Sequence, residues 1–179
     1  MHRIIRRMAL ALPLLFSGIG TATAGEPTAT AIEYYNASLN HYFMTANPAE
    51  TAILDANIQF PGWQRTGVAF SAYANAGDSV DALPVCRFFG TPGVGPNSHF
   101  YTADANECEI TKKNPDWIFE AIAFYIPLPA VSGIFAGACP GTAQTVYRSF
   151  YPGAIKSESN HRFLPDLTMH EHMAGASIL

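Results

Sequence analysis

The chain repeats itself, and an internal repeat constrains a fold more tightly than composition does. Tyr42-Phe43-Met44-Thr45-Ala46-Asn47-Pro48-Ala49-Glu50 matches His99-Phe100-Tyr101-Thr102-Ala103-Asp104-Ala105-Asn106-Glu107 column for column. Trp63 with Ala69-Phe70 downstream matches Trp117 with Ala123-Phe124 at the same offsets, and upstream Tyr34-Tyr35 corresponds to Phe88-Phe89. A third copy starts at Val146-Tyr147-Arg148, passes through Asn160-His161-Arg162-Phe163 and reaches Met169 to Met173. No Trp and no Ala-Phe follow it, so the third unit is read as incomplete.

Each column has a mechanical reading. The Phe-x-Thr segment alternates as a half-buried strand does, while Val68-Ala69-Phe70 and Ile122 to Ile126 read as inner strands. Between them the spacing predicts a short helix, with Asn47 as N-cap, Pro48 at N1 and Glu50 at N3. Asp104 and Glu107 repeat the arrangement. This is a capping box, in which the glutamate reaches back to the N–H of the cap, so Glu50 and Glu107 read as structural. One unit is then strand, strand, short helix, strand, strand. A lone unit cannot bury its aromatic face; three around a shared axis would bury Phe43, Trp63, Phe70, Phe100, Trp117, Phe124 and Phe163 in one core. The expected fold is β-rich α+β, a pseudo-threefold repeat closed as a trefoil-like or small propeller-like domain. Periodicity leaves the choice of closure open.

Residues 1–24 stand outside the repeat. Arg3, Arg6 and Arg7 precede an apolar run, Met8 to Ile19, and Ala22-Thr23-Ala24 supplies an A-x-A cleavage site, which together predict a secretory signal peptide cleaved after Ala24. The remaining 25–179 form a single domain by length, with repeat one at 32–73, repeat two at 84–129 and partial repeat three at 146–179. Without the three leader arginines, seven basic residues face fourteen acidic ones, a net charge near −7. No basic surface exists to neutralise a phosphate backbone, so nucleic acid is excluded as a partner. The apolar stretch Ile118 to Ala138 fails as a membrane span because Glu120 lies inside it and Pro127 and Pro129 break it. The exported chain is therefore expected to be secreted, periplasmic or extracellular, and not an integral membrane protein.

These residues carry a resemblance. Cys86-Arg87-Phe88-Phe89, His99 to Thr102, Gly62-Trp63 and Glu120-Ala121-Ile122-Ala123-Phe124 resemble a secreted bacterial repeat family of the domain-of-unknown-function type, whose signature runs aromatic pair, His-Phe-Tyr-Thr, Gly-Trp, Glu-Gly-x-Ala-Phe. The likeness spans about residues 32 to 173. Thr66 departs from it where Glu120 stands in the second copy, and Leu164-Pro165 replaces the Tyr-Thr of that copy. The resemblance implies an accessory module on secreted or surface proteins, without an agreed catalytic residue.

Three cysteines are an odd count for an exported chain, where disulfides are the default. Cys86 and Cys108 both lie in repeat two, and their bridge would staple the first strand of that unit to its helix. Cys139 is left unpaired, its partner expected in the absent end of repeat three. No residue set predicts a metal site or cofactor: His41 and His99 occupy different columns, and His170-Glu171-His172 lacks zinc-hydrolase spacing. Gly90 to Pro96 is a Pro-broken turn rather than a dinucleotide loop, and no nucleophile elbow or P-loop occurs. The aromatic surplus is the positive clue, since tyrosines with Asn, Asp and Thr nearby suit sugar rings or peptide segments. Tyr35, Tyr42, His99, Tyr101 and Arg148 are the candidate ligand-binding residues. The function expected is non-catalytic binding of an extracellular carbohydrate or protein. The alternatives are a secreted hydrolase with a site around His99 using Glu107 or Asp104, and a truncated remnant.

Overall fold

Short strands joined by tight turns give three small antiparallel sheets. The computed structural model describes residues 25–129, 139 and 143–176; residues 1–24, where a signal peptide is expected, and most of 130–142 lie outside them. The elements are β1 (Ala29–Asn36), β2 (His41–Thr45), α1 (Pro48–Ala56), β3 (Trp63–Ala72), β4 (Ala82–Gly90), β5 (His99–Thr102), α2 (Ala105–Thr111), β6 (Trp117–Pro127), β7 (Tyr147–Tyr151), a 3-10 turn at Lys156–Glu158, β8 (Asn160–Leu164) and α3 (Leu167–Ala176). The sheet orders are β2-β1-β3, β5-β4-β6 and β7-β8. The strand bearing the aromatic pair is central in the first two sheets: Tyr35 faces Tyr42 across β1 and β2, and Phe88 faces Phe100 across β4 and β5.

Three expectations change. A single strand, not two, follows each of α1 and α2 within its sheet, because no turn interrupts Trp63–Ala72 or Trp117–Pro127. These strands are also sheet edges rather than inner strands, β3 mostly exposed and β6 mostly half-buried, whereas β5 is buried along its whole length. The third change concerns the core, which is not one cluster. Met44, Phe70, Tyr101 and Phe124 form the largest group with Phe163 packed against it, Phe88, Phe100 and Trp117 a second, and Tyr34, Phe43 and Trp63 a third. The first group is shared by all three sheets, with Met44 and Phe70 from the first, Tyr101 and Phe124 from the second and Phe163 from the third, while each of the other two lies within one sheet and its helix.

Bulges break the long strands where the chemistry lies. Ile32 pairs with Ala69 but Tyr34 with Arg65, so Thr66 to Val68 face Glu33 alone; Gly67, at φ 88°, takes the left-handed backbone there. In the second sheet Arg87 pairs with Ala121 but Phe88 with Phe119, leaving Glu120 in the bulge. An extra residue in a strand re-aims its side chain.

The helices start where the sequence puts them, but the capping boxes are half right. The Asn47 carboxamide accepts from the Ala49 N–H at 2.9 Å, and Asp104 accepts from the Glu107 N–H at 2.7 Å. The N–H groups of the caps go to threonine hydroxyls, Asn47 to Thr45 at 2.9 Å and Asp104 to Thr102 at 3.1 Å. Glu50 and Glu107 do not return to the caps. Arginines of the following sheet draw them away, Arg87 onto Glu50 and Arg148 onto Glu107.

Contacts between sheets complete the fold. Strands β2, β5 and β8 each touch the other two. The buried Tyr101 hydroxyl donates to the Met44 carbonyl at 2.8 Å and accepts from the Met44 N–H at 2.9 Å. Tyr73, just past β3, and Tyr125 of β6 exchange backbone hydrogen bonds, both at 2.9 Å. Cys86 and Cys108 are disulfide-bonded, tying β4 to α2, and Cys139 is free.

Candidate functional site

A cleft of about 340 Å³ opens between the first and second sheets. Its walls are apolar: Leu39 from the β1–β2 turn, Phe43 from β2, Ile53 and Leu54 from α1, Phe60 from the turn between α1 and β3, Trp63 from the start of β3, and Phe89 from β4. Phe60 is half exposed at the rim, and Trp63 packs edge-on to Phe43 with centroids 6.0 Å apart. These rings meet because β2 and the Gly62-Trp63 segment converge beside Phe89 of β4.

The polar groups of the cleft are paired with one another. Arg87 donates from both Nη atoms to Glu50, at 2.9 and 2.8 Å, and from Nε to Glu120 at 2.9 Å. Glu50 also takes the Thr45 hydroxyl. His99 Nε2 lies 3.2 Å from Glu120, and His99 Nδ1 lies 3.0 Å from His41 Nε2. Carboxylate, imidazole and imidazole thus form one chain, and the guanidinium sits 5.0 Å over the Phe43 ring.

The charge states follow from burial and partners. Burial would raise the Glu50 carboxyl, but hydrogen bonds from Arg87 and Thr45 outweigh it and hold it below its ordinary value. Glu120 is likewise lowered against its burial by the His99 N–H and by Arg87. Burial drives His41 down to about 3, helped by its neighbour His99, and lowers His99 despite Glu120. At neutral pH the cleft therefore holds one guanidinium, two carboxylates and two neutral imidazoles, a net charge near −1. Neither carboxyl group is protonated there, so neither can serve as a general acid near neutrality.

The candidate residues read from the sequence scatter. Only His99 lies in the cleft. Tyr35 and Tyr42 pack as a tilted pair, 4.6 Å between centroids, on the other side of the first sheet, where Arg162 lies 4.4 Å over the Tyr42 ring and the Tyr35 hydroxyl donates to Asn40 at 3.0 Å. Tyr101 is 3% exposed and spends its hydroxyl on Met44. Arg148 sits between the second and third sheets on Glu107, at 2.8 Å. Glu107 and Asp104 are engaged at the start of α2 and beside Arg148, and neither lines the cleft that holds His99. Sequence reasoning missed Glu50, Arg87, Glu120, His41, Phe60 and Trp63 as site residues. The signal was present: Glu follows the cap in both full copies, and Arg87 and Arg148 share a column in the next unit.

No group of three or more His, Cys, Asp or Glu suited to a metal ion occurs among the described residues, and no helix among them is long and apolar enough to cross a membrane.

Sheets that join through paired arginines and glutamates, with a cleft between them, define a small β-rich module. The chain belongs to the family described as a domain of unknown function (DUF5648), whose sequence profile matches residues 16–127. No curated protein and no solved structure matches the chain.

Proposed function

We propose that the protein is an exported, non-catalytic binding module that takes a carbohydrate in the cleft between its first two sheets. The observation that carries this reading is the pairing of aromatic walls with a polar floor already ionised and internally hydrogen-bonded. A sugar ring presents apolar C–H faces, which pack on Phe60 and Trp63, and hydroxyls, which donate to the remaining lone pairs of Glu50 and Glu120. The net negative charge disfavours anionic ligands. The absence of a protonated carboxyl group favours holding the sugar over cleaving it.

The larger architecture belongs to the same proposal. The chain is a pseudo-threefold repeat, with β2, β5 and β8 meeting at the shared axis, and residues 1–24 direct export. The disulfide in repeat two suits an oxidising compartment.

Retention of the mature protein on chitin, cellulose and xylan tests the function, scored beside release of reducing ends. The expected result is retention without release on at least one matrix, weakened at least tenfold by Phe60→Ala. Absence of retention on all three overturns the carbohydrate reading, and release of reducing ends overturns the non-catalytic one.

A further inference from the structure

The arrangement that lines the cleft is built a second time, between the second and third sheets. Phe100, Glu107, Arg148, Phe150 and His161 stand there in the places of Phe43, Glu50, Arg87, Phe89 and His99: His161 faces Phe150 across β7 and β8 as His99 faces Phe89 across β4 and β5, which shifts the third copy by one residue from the alignment that sets Leu164-Pro165 against Tyr101-Thr102. The geometry repeats closely. The His99 ring lies 4.7 Å from Phe43 and 5.0 Å from Phe89, and His161 lies 5.1 Å from Phe100 and 4.8 Å from Phe150. Arg87 sits 5.0 Å over Phe43, and Arg148 sits 5.2 Å over Phe100. Each guanidinium reaches its glutamate at 2.8 Å, and Trp117 stands 5.6 Å from Phe100 as Trp63 stands 6.0 Å from Phe43.

Two columns differ. Ser98 replaces His41 and turns its hydroxyl to Asn160 at 3.1 Å, and no described residue takes the place of Glu120. His161 Nδ1, the counterpart of the nitrogen through which His99 meets His41, is consequently buried with no hydrogen-bond partner among the described residues. Such an atom costs free energy until a polar group reaches it. Phe150 is 54% exposed beside it, which leaves an aromatic face open.

The geometry points to a second carbohydrate site at this interface, where the ring stacks on the open face of Phe150 and its hydroxyls meet the part-exposed Glu107 and Arg148, so that one chain holds two units of a neutral polysaccharide. This rests on the carbohydrate reading of the first cleft. Two sites on one chain raise the apparent affinity for a polymer well above that for a short oligosaccharide, by mass action alone.

Calorimetric titration with chitotriose, cellotriose and xylotriose, each too short to reward bridging, tests it on the whole mature chain. Phe60→Ala and Phe150→Ala mark the two sites; both replace half-exposed rings, and a thermal melt confirms that each variant folds. The expected result is two equivalents of one trisaccharide per chain, falling to one in either variant, with retention on the parent polymer reduced about 10- to 100-fold in each. One equivalent in the parent protein, lost in Phe60→Ala and untouched in Phe150→Ala, overturns the second site and leaves the first standing. Failure of all three sugars to bind overturns both.

Discussion

Arg87 ties the first two sheets together. Its side chain is 10% exposed and serves two carboxylates from different sheets, one on α1 and one in the bulge of β6. Removing one partner from such a set costs far more than the set contributes, because the remaining charges stay half-buried and unpaired. Arg87→Met should therefore lower stability by about 3 kcal/mol, read as a fall in denaturant midpoint at unchanged slope. Glu50→Gln with Glu120→Gln in the same chain should recover part of the loss. His41 and His161 make a separate prediction. Burial holds them neutral, at about 3 and about 4, His41 facing His99 and Glu120, and His161 facing Arg148 and Glu107. A histidine lowered on folding binds its proton more readily when unfolded, so its contribution is whole above about pH 6.5 and is lost as pH falls toward 4 and 3. At pH 5 the cost is roughly 2 kcal/mol for each. Melting temperature measured from pH 7.5 to 4 should fall steadily, and His161→Phe should flatten the decline; a parent protein with no decline contradicts the assignment.

Among the elements, α2 and β4 are joined covalently while α1 and β1 are not. The Cys86–Cys108 bridge spans 22 residues, and in the chain-entropy account a loop of that length contributes about 3 kcal/mol. Its counterpart in the first unit is noncovalent: Tyr34 donates to Asp55 at 2.9 Å, and Asp55 pairs with Arg65 at 2.6 Å on the exposed face. A reductant should thus lower the melting temperature, and Cys86→Ser with Cys108→Ser should reproduce the shift and abolish the sensitivity. The bulges follow the same logic of substitution. Thr66 stands where Glu120 does because the residue it faces is Glu33 rather than an arginine, and its hydroxyl donates to Glu33 at 2.7 Å. The departure from the family pattern noted in the sequence is one half of an exchanged pair.

Across the whole molecule, that exchange reaches the third sheet. Glu33 is 1% exposed and sits in the column that carries Arg87 and Arg148, and Arg162 of β8 donates to it twice, at 3.0 and 2.9 Å. All three junctions between sheets thus use one arginine and one glutamate, with the signs reversed at the closing junction. Asn160 adds a hydrogen bond to the Asn40 carbonyl at 2.6 Å across the same junction. Arg162→Ala should leave a fully buried carboxylate and destabilise by about 3 to 5 kcal/mol, with Glu33→Gln restoring part of it in a double-variant cycle. If the third sheet melts alone, as a separate transition, the closing junction does not bind it to the other two.

The helix starts and the disulfide pair were legible in the sequence alone, since these depend on neighbours within one short stretch: Asn47 caps the helix it precedes, and Cys86 and Cys108 lie in one strand-to-helix segment. The sequence misassigned Glu50 and Glu107 for the same reason. A capping box is a local rule, and a guanidinium arriving from the next unit outbids a neutral N–H because a charged, bidentate partner is the stronger one. The order of strands within each sheet, the division of the aromatics into three clusters and the meeting of Glu50, Arg87, Glu120, His99 and His41 in one cleft were decided only by the tertiary structure. Those groups lie in separate columns up to 79 residues apart in the chain, and the bulge that turns Glu120 inward shows in the pairing of strands, not in their residues.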